Sequence, residues 1–237
     1  MAIAAPSFTG FSPDAIQFLV DLADHNDRAW FQPRKGEYER LVKEPLEALI
    51  ATLAGRFVAR GIPLQADSKR SPFRIYRDTR FSKDKSPYKT NVGASFPFLE
   101  AGAGSSEPAD GDAHGNGGYF HFQPGEMFLG GGMWQPPKET LDAFRRAVPE
   151  EPKRVEAALE DKAFAASFGR AYSHEALKRV PPGYPADHQM ADLFKWKGIA
   201  FGRRLADAEV CSPALPDLMA DSYSAALPVF RFLATLR

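Results

Sequence analysis

Between Lys69 and Lys89 the chain reads KRSPFRIYRDTRFSKDKSPYK, with eight basic residues and two acidic ones, Asp78 and Asp84. Arginine at this density is suited to oxyanion recognition. A planar guanidinium grips carboxylate or phosphate through two parallel hydrogen bonds, and lysine adds point charge. Alternation from Pro72 to Thr79 predicts a strand with Arg74, Tyr76 and Asp78 on one face and Phe73 and Ile75 on the other. Two further alternating runs, 88–98 and 119–123, bring Lys89, Asn91, Tyr119, His121 and Gln123 to the polar face if the strands pair as neighbours. Phe73, Ile75, Val92, Phe96, Phe120 and Phe122 would then take the opposite face, toward helices. His121 is the side chain there whose ordinary pKa lies nearest neutrality, so it is the candidate acid–base group, with Asp78 and Tyr76 beside it. Arg74, Arg77, Arg80, Lys83, Lys85, Tyr88, Lys89 and Asn91 are the candidate ligand-binding residues. Tyr76 and Tyr119 offer rings for stacking or hydroxyls for hydrogen bonding.

The expected ligand is a small anion bearing phosphate; whether a reaction accompanies binding is left open. Two other functional readings use the same segment. Phe73, Tyr76, Phe81 and Tyr88 interleaved with cations are what a single-stranded nucleic-acid site needs. Against this, the chain holds 30 basic and 30 acidic residues, so everything outside the basic window is net negative and repels a polyanion. The other reading is a non-enzymatic interaction module that meets an acidic partner surface. A purely structural reading competes with all three: Asp78 can neutralise Arg77 or Arg80, and Asp84 can brace the turn 82–86.

The elements that must position these residues fall into three stretches. Ser12 caps and Pro13 opens a first helix, with Phe11 and Ile16 as its hydrophobic staple. Asp27 caps a short turn carrying Trp30 and Phe31; a helix restarts at Pro33 and runs to about Val58, kinked or divided at Pro45. The middle stretch is β, with Met127 to Leu129 pairing back on 119–123 and Gly130-Gly131-Gly132 after it. Residues 101–118, with six glycines and no large apolar side chain, read as a flexible surface insert. Helices return at Pro137, Pro152 and Pro216, the last perturbed at Pro228. Helices, then strands, then helices indicate a single α+β domain over 1–237, a mostly antiparallel sheet packed on N- and C-terminal helices.

Composition supports an ordinary globular chain: 44% hydrophobic and 25% charged residues. No apolar run is long enough for a membrane helix, and the first residues lack the pattern of a secretory signal, so the expected location is cytoplasmic and without membrane. The one cysteine, Cys211, excludes an intramolecular disulfide. No Walker loop, dinucleotide fingerprint, nucleophile elbow or His-Glu-x-x-His spacing occurs, so no metal or cofactor is expected. The oligomeric state is not legible.

The run from Arg74 to Thr90, RIYRDTRFSKDKSPYKT, resembles the signature of a family of bacterial and fungal proteins known as domain of unknown function 2461. Supporting stretches are Asn26 with Trp30 and Phe31, a Pro-led helix after them, Gly130 to Trp134, and Pro181 to His188. The likeness spans about Phe11 to Leu236; His25 stands where the family tends to have a second Asn, and the Gly-rich insert looks like a local elaboration. The resemblance implies an α+β fold and a shared site near the signature, and no specific activity.

Overall fold

The computed structural model describes residues 7–80, 82–100 and 115–236. The Ser12 side chain accepts the Ala15 N–H at 3.2 Å and starts α1 (Pro13–Asp24). Asp27 does the same for Trp30 at 2.8 Å and starts α2 (Arg28–Tyr38). This helix runs through Pro33 rather than restarting there, at the cost of one backbone hydrogen bond. A π-helical turn, Glu39–Lys43, hands over to α3 (Glu44–Ala59), so Pro45 falls where the ladder already changes register.

The sheet is an antiparallel meander in chain order: β1 (Val92–Pro97), β2 (Gly117–Phe122), β3 (Phe128–Met133) and β4 (Ile199–Arg204). Between β3 and β4 lie α4 (Lys138–Glu150), α5 (Pro152–Leu159), α6 (Lys162–Phe168) and a 3-10 turn (Ala191–Lys195). The chain continues through α7 (Asp207–Val210), α8 (Leu215–Ala225) and α9 (Leu227–Ala234). Alternation divides the sheet. Val92, Ala94, Phe96, Phe120, Phe122, Leu129, Ile199 and Phe201 are buried on its inner face. Phe11 stacks on Phe122 at 4.4 Å, and Phe57 meets Phe96 edge-on at 5.8 Å. Tyr223 of α8 and Phe230 of α9 fill the space over Gly118 and Gly131, where an added Cβ would meet their rings at 2.9 and 3.0 Å. Each ring so buried contributes about 2–3 kcal/mol of hydrophobic stabilisation. The helices at both ends of the chain therefore share one core with the sheet, the α+β architecture expected.

Two expectations need correction, and one strand carries no signal in the sequence. Residues 72–79 do not form a strand. The chain there touches β1 only through Ser71 and Phe73 (Ser95 N–H to Ser71 O, 3.0 Å; Phe73 N–H to Gly93 O, 2.9 Å), then leaves to pair with 87–89. Phe73 and Ile75 consequently do not share a face: Ile75 is buried, whereas the Phe73 ring lies outward against Tyr119 at 5.9 Å. β4 gives no alternating signal, because Ile199, Ala200 and Phe201 are all buried in succession. Finally, Gly117 and Gly118 belong to β2 rather than to the insert, most of which (101–114) lies outside the described residues.

The β1 edge is partnered at both its ends and the β4 edge at Ala200, which reduces the exposed pairing groups. Residues 63–73 run along β1, and Tyr172 exchanges two hydrogen bonds with Ala200 of β4 at 2.7 and 2.8 Å. The outer face is left for function.

Candidate functional site

The basic segment is a hairpin-like loop tied down at its base. Tyr76 bridges Tyr88, the Arg77 N–H donates to Pro87 O at 2.9 Å, and the Lys89 N–H donates to Ile75 O at 2.7 Å. Tyr88 is the anchor: it is 1% exposed and stacked on Phe31 at 4.1 Å, with its hydroxyl within 3.3 Å of Gln32 Nε2. Asn26 acts as a peptide mimic. Its Nδ2 donates to Tyr88 O at 3.0 Å, and its Oδ1 accepts the Tyr88 N–H at 3.1 Å. The Asn-x-x-x-Trp-Phe stretch and the basic signature are thus two halves of one clamp.

Within the loop much of the charge is spent locally. Arg77 pairs with Asp84, and Arg80 pairs with Asp78 at 2.6 Å. Asp84 also accepts from the Ser86 N–H and hydroxyl, and Lys85 donates to Thr79 O at 2.8 Å. Hydrogen bonding to Arg80 holds the Asp78 carboxyl down to about 2, and Asp78 in turn raises Arg80. Ser86 and Arg77 hold Asp84 lower still. A carboxylate this acidic is an ion-pair partner at neutral pH and a poor proton shuttle.

Two concavities flank this loop. The first is a basic cleft of about 1150 Å³ between the α2–α3 arm and residues 65–76. Lys69, Arg70 and Arg74 line it, with Tyr38 and Tyr76. Asp67 accepts the Lys69 and Arg70 N–H groups at 2.8 and 3.0 Å, which fixes the turn that presents them. Among the described residues no carboxylate forms an ion pair with the side chains of Lys69, Arg70 or Arg74. Lys35 and Lys43, across the cleft, sit only loosely against Glu39 and Glu47, both at 3.9 Å. Burial first, and then Glu47, pushes the Tyr38 phenol far up, so it stays a neutral donor.

The second is a groove of about 750 Å³ on the outer face of the sheet. Tyr119 Oη and His121 Nδ1 are 2.9 Å apart in it, and His121 stacks on Phe128 at 4.8 Å. Desolvation lowers the His121 pKa, opposed by Gln123 and Glu126, so the ring is neutral at pH 7. Burial raises Tyr119 to about 12. With imidazole and phenol both neutral, the pair can relay a proton or hold a polar ligand group. Cleft and groove share Phe73, Ser95 and Pro97 as their common border. No group of His, Cys, Asp and Glu among the described residues could hold a metal ion, and no helix there is long and apolar enough to cross a membrane.

The model of a family described as conserved hypothetical protein (DUF2461) matches residues 14–232. The chain belongs to that family. No curated protein and no solved structure matches it.

The DUF2461 signature is therefore distributed over three places. Arg74 and Tyr76 line the cleft. Arg77, Asp78, Arg80 and Lys85 lock the loop, and Lys83 is exposed on it. Tyr88 is the buried anchor and presents no surface to either concavity. Lys89 lies over the Phe73 ring at 5.4 Å, and Asn91 is half-buried just before β1. His121 stands in the groove, apart from Tyr76 and Asp78, so the three acid–base candidates do not converge. Residues that local patterning did not single out are Lys69, Arg70, Tyr38, Lys35 and Lys43 of the cleft, and Trp134, Tyr172 and Gly202 of the groove. The Lys69-Arg70 pair was visible as part of the basic run; the others come from distant segments.

Proposed function

We propose that this DUF2461 protein binds a small phosphate-bearing anion in the basic cleft, with Arg74 as the principal contact and Lys69 and Arg70 beside it. The observation that carries this reading is the division of the basic segment. Arg77 and Arg80 pair with Asp84 and Asp78 within their own loop, while Lys69, Arg70 and Arg74, three of the five cations lining the cleft, form no side-chain ion pair among the described residues. Among the described residues five cations line the cleft against three carboxylates, Glu39, Glu47 and Asp67, and this positive excess favours an incoming anion. Tyr76, 47% exposed, and the neutral Tyr38 phenol add hydroxyl groups to the lining.

Calorimetric titration of the full chain with inorganic phosphate and pyrophosphate tests this. Loss of a charge-assisted contact worth about 1.5–3 kcal/mol weakens binding roughly ten- to a hundredfold in Arg74→Ala. Arg80→Ala, which removes the partner of Asp78 and no residue lining the cleft, leaves affinity within about twofold. Failure of the unaltered protein to bind either anion, or equal losses in both variants, refutes the reading. If an unstructured oligonucleotide binds with a steep salt dependence while phosphate does not, the nucleic-acid reading replaces it.

A further inference from the structure

The outer face of the sheet carries a bare patch. On β2, β3 and β4 the outward positions Gly117, Gly130, Gly132, Ala200 and Gly202 are mutual neighbours by register. Strand spacing and pleat make this floor about 10 by 7 Å, the footprint of a fused ring system. Tyr119 and Phe128 wall it toward the sheet centre, and Trp134 and Tyr172, 44% and 41% exposed, stand opposite. Trp134 is held from behind by His174, stacked at 3.8 Å and 14°.

Three of the floor glycines are required by the fold. A Cβ at Gly117 would collide with Phe96 O and one at Gly130 with Phe201 O, while Gly132 has φ +102°. Gly202 is different. Its φ is ordinary, and an added Cβ would meet nothing closer than Leu129 O at 3.4 Å and the Phe128 ring at 3.8 Å. Neither close packing nor backbone strain accounts for glycine there. Its missing side chain serves to keep the floor open.

We propose that this groove is a binding site for the flat heteroaromatic ring of a small molecule, which lies face-down on the glycine floor between Tyr119 and Tyr172. Most of the floor's N–H and C=O groups are committed to the sheet ladder or, at Ala200, to Tyr172, and those of Gly202 point sideways along the β4 edge, so the floor meets its occupant with an apolar face. Polar side chains line the groove beside the floor: Tyr119 and His121 hydrogen-bond each other, and Gln123, Glu126 and Arg204 can meet heteroatoms on a ring edge. A sugar with axial hydroxyls would leave them unpaired against the floor, and a puckered ring covers it less fully than a flat one. The volume of about 750 Å³ lies within the range of small-molecule pockets. This site stands independently of anion binding in the cleft.

The test uses uncharged probes, so the cleft contributes nothing: adenosine, riboflavin and indole, each titrated against the full chain with saturation-transfer NMR and tryptophan fluorescence. At least one binds, and Gly202→Val weakens it at least tenfold while the unfolding midpoint stays within about 2 °C. Should Gly202→Val fail to fold, Gly202→Ala, whose methyl fits without displacement, weakens binding at least threefold. Tyr172→Ala, at the exposed wall, weakens it as well, and Arg74→Ala leaves it unchanged. Binding of none of the three probes, or binding unaffected by the Gly202 and Tyr172 substitutions, overturns the proposal.

Discussion

Replacing Asn26 with alanine removes both hydrogen bonds that hold the backbone of Tyr88, at 3.0 and 3.1 Å. Each is worth about 1 kcal/mol net when made, and leaving a buried N–H or C=O without a partner costs about 1–3 kcal/mol. Asn26 is itself half-buried, so water recovers part of that loss. The expected destabilisation is therefore about 2–3 kcal/mol. With a urea m-value of about 2–3 kcal/mol/M, the midpoint falls by about 1 M at unchanged slope. Gln32→Ala is the control: it deletes only the 3.3 Å contact to the Tyr88 hydroxyl and costs under about 1 kcal/mol. Hydrogen exchange gives a second readout. The Arg77 and Lys89 amides, bonded to Pro87 O and Ile75 O at the hairpin base, lose protection in Asn26→Ala before the sheet does. If Asn26→Ala costs less than about 0.5 kcal/mol and leaves those amides protected, the clamp is not what holds the signature in place.

Gly118→Ala forces a methyl to 2.9 Å from the buried Tyr223 ring and lowers stability by about 1–3 kcal/mol; an unchanged melting temperature would contradict the packing described for α8. Asp78 titrates at about 2 because of Arg80, so its ion pair is complete above the ordinary carboxylate pKa and is lost as the pH falls from 4 toward 2. Carboxyl carbon shifts measure this directly, and a midpoint near 4 would show the pair is absent in solution. His121 titrates below its ordinary value because burial disfavours the imidazolium. Its contribution to stability is present above about pH 6.5 and is lost as the pH falls through the lowered folded value. Imidazole proton shifts with a midpoint at or above 6.5 would contradict the desolvated setting.

How much of this could be read beforehand depends on whether the signal is local. Caps at Ser12 and Asp27, and the inward stripe Val92, Ala94, Phe96, follow from neighbouring residues alone, and they were legible. Residues 72–79 alternate as a strand does, but alternation reports faces, not partners. The chain there trades β1 for residues 87–89 after two hydrogen bonds, which turns Phe73 outward. β4 was hidden because burial on both sides erases the period. In the basic run, residue type was legible and commitment was not. Arg77 meets Asp84 only once the loop has closed, and among the described residues Arg74 forms no ion pair, because the chain turns away beside it. Much of the remainder of the cleft comes from α2, the π-helical turn and the start of α3, about twenty residues or more earlier, and the groove's bare floor is assembled from three strands. No window of sequence displays either.

The most direct measurement is anomalous diffraction from crystals of the full chain soaked in tungstate, a heavy tetrahedral oxyanion of the same shape and charge class as phosphate. The account predicts a peak in the cleft, within hydrogen-bonding distance of Arg74 and beside Lys69 or Arg70, that disappears in Arg74→Ala crystals. A cleft without a peak, or tungstate bound instead along the Arg77–Lys85 loop, would contradict it.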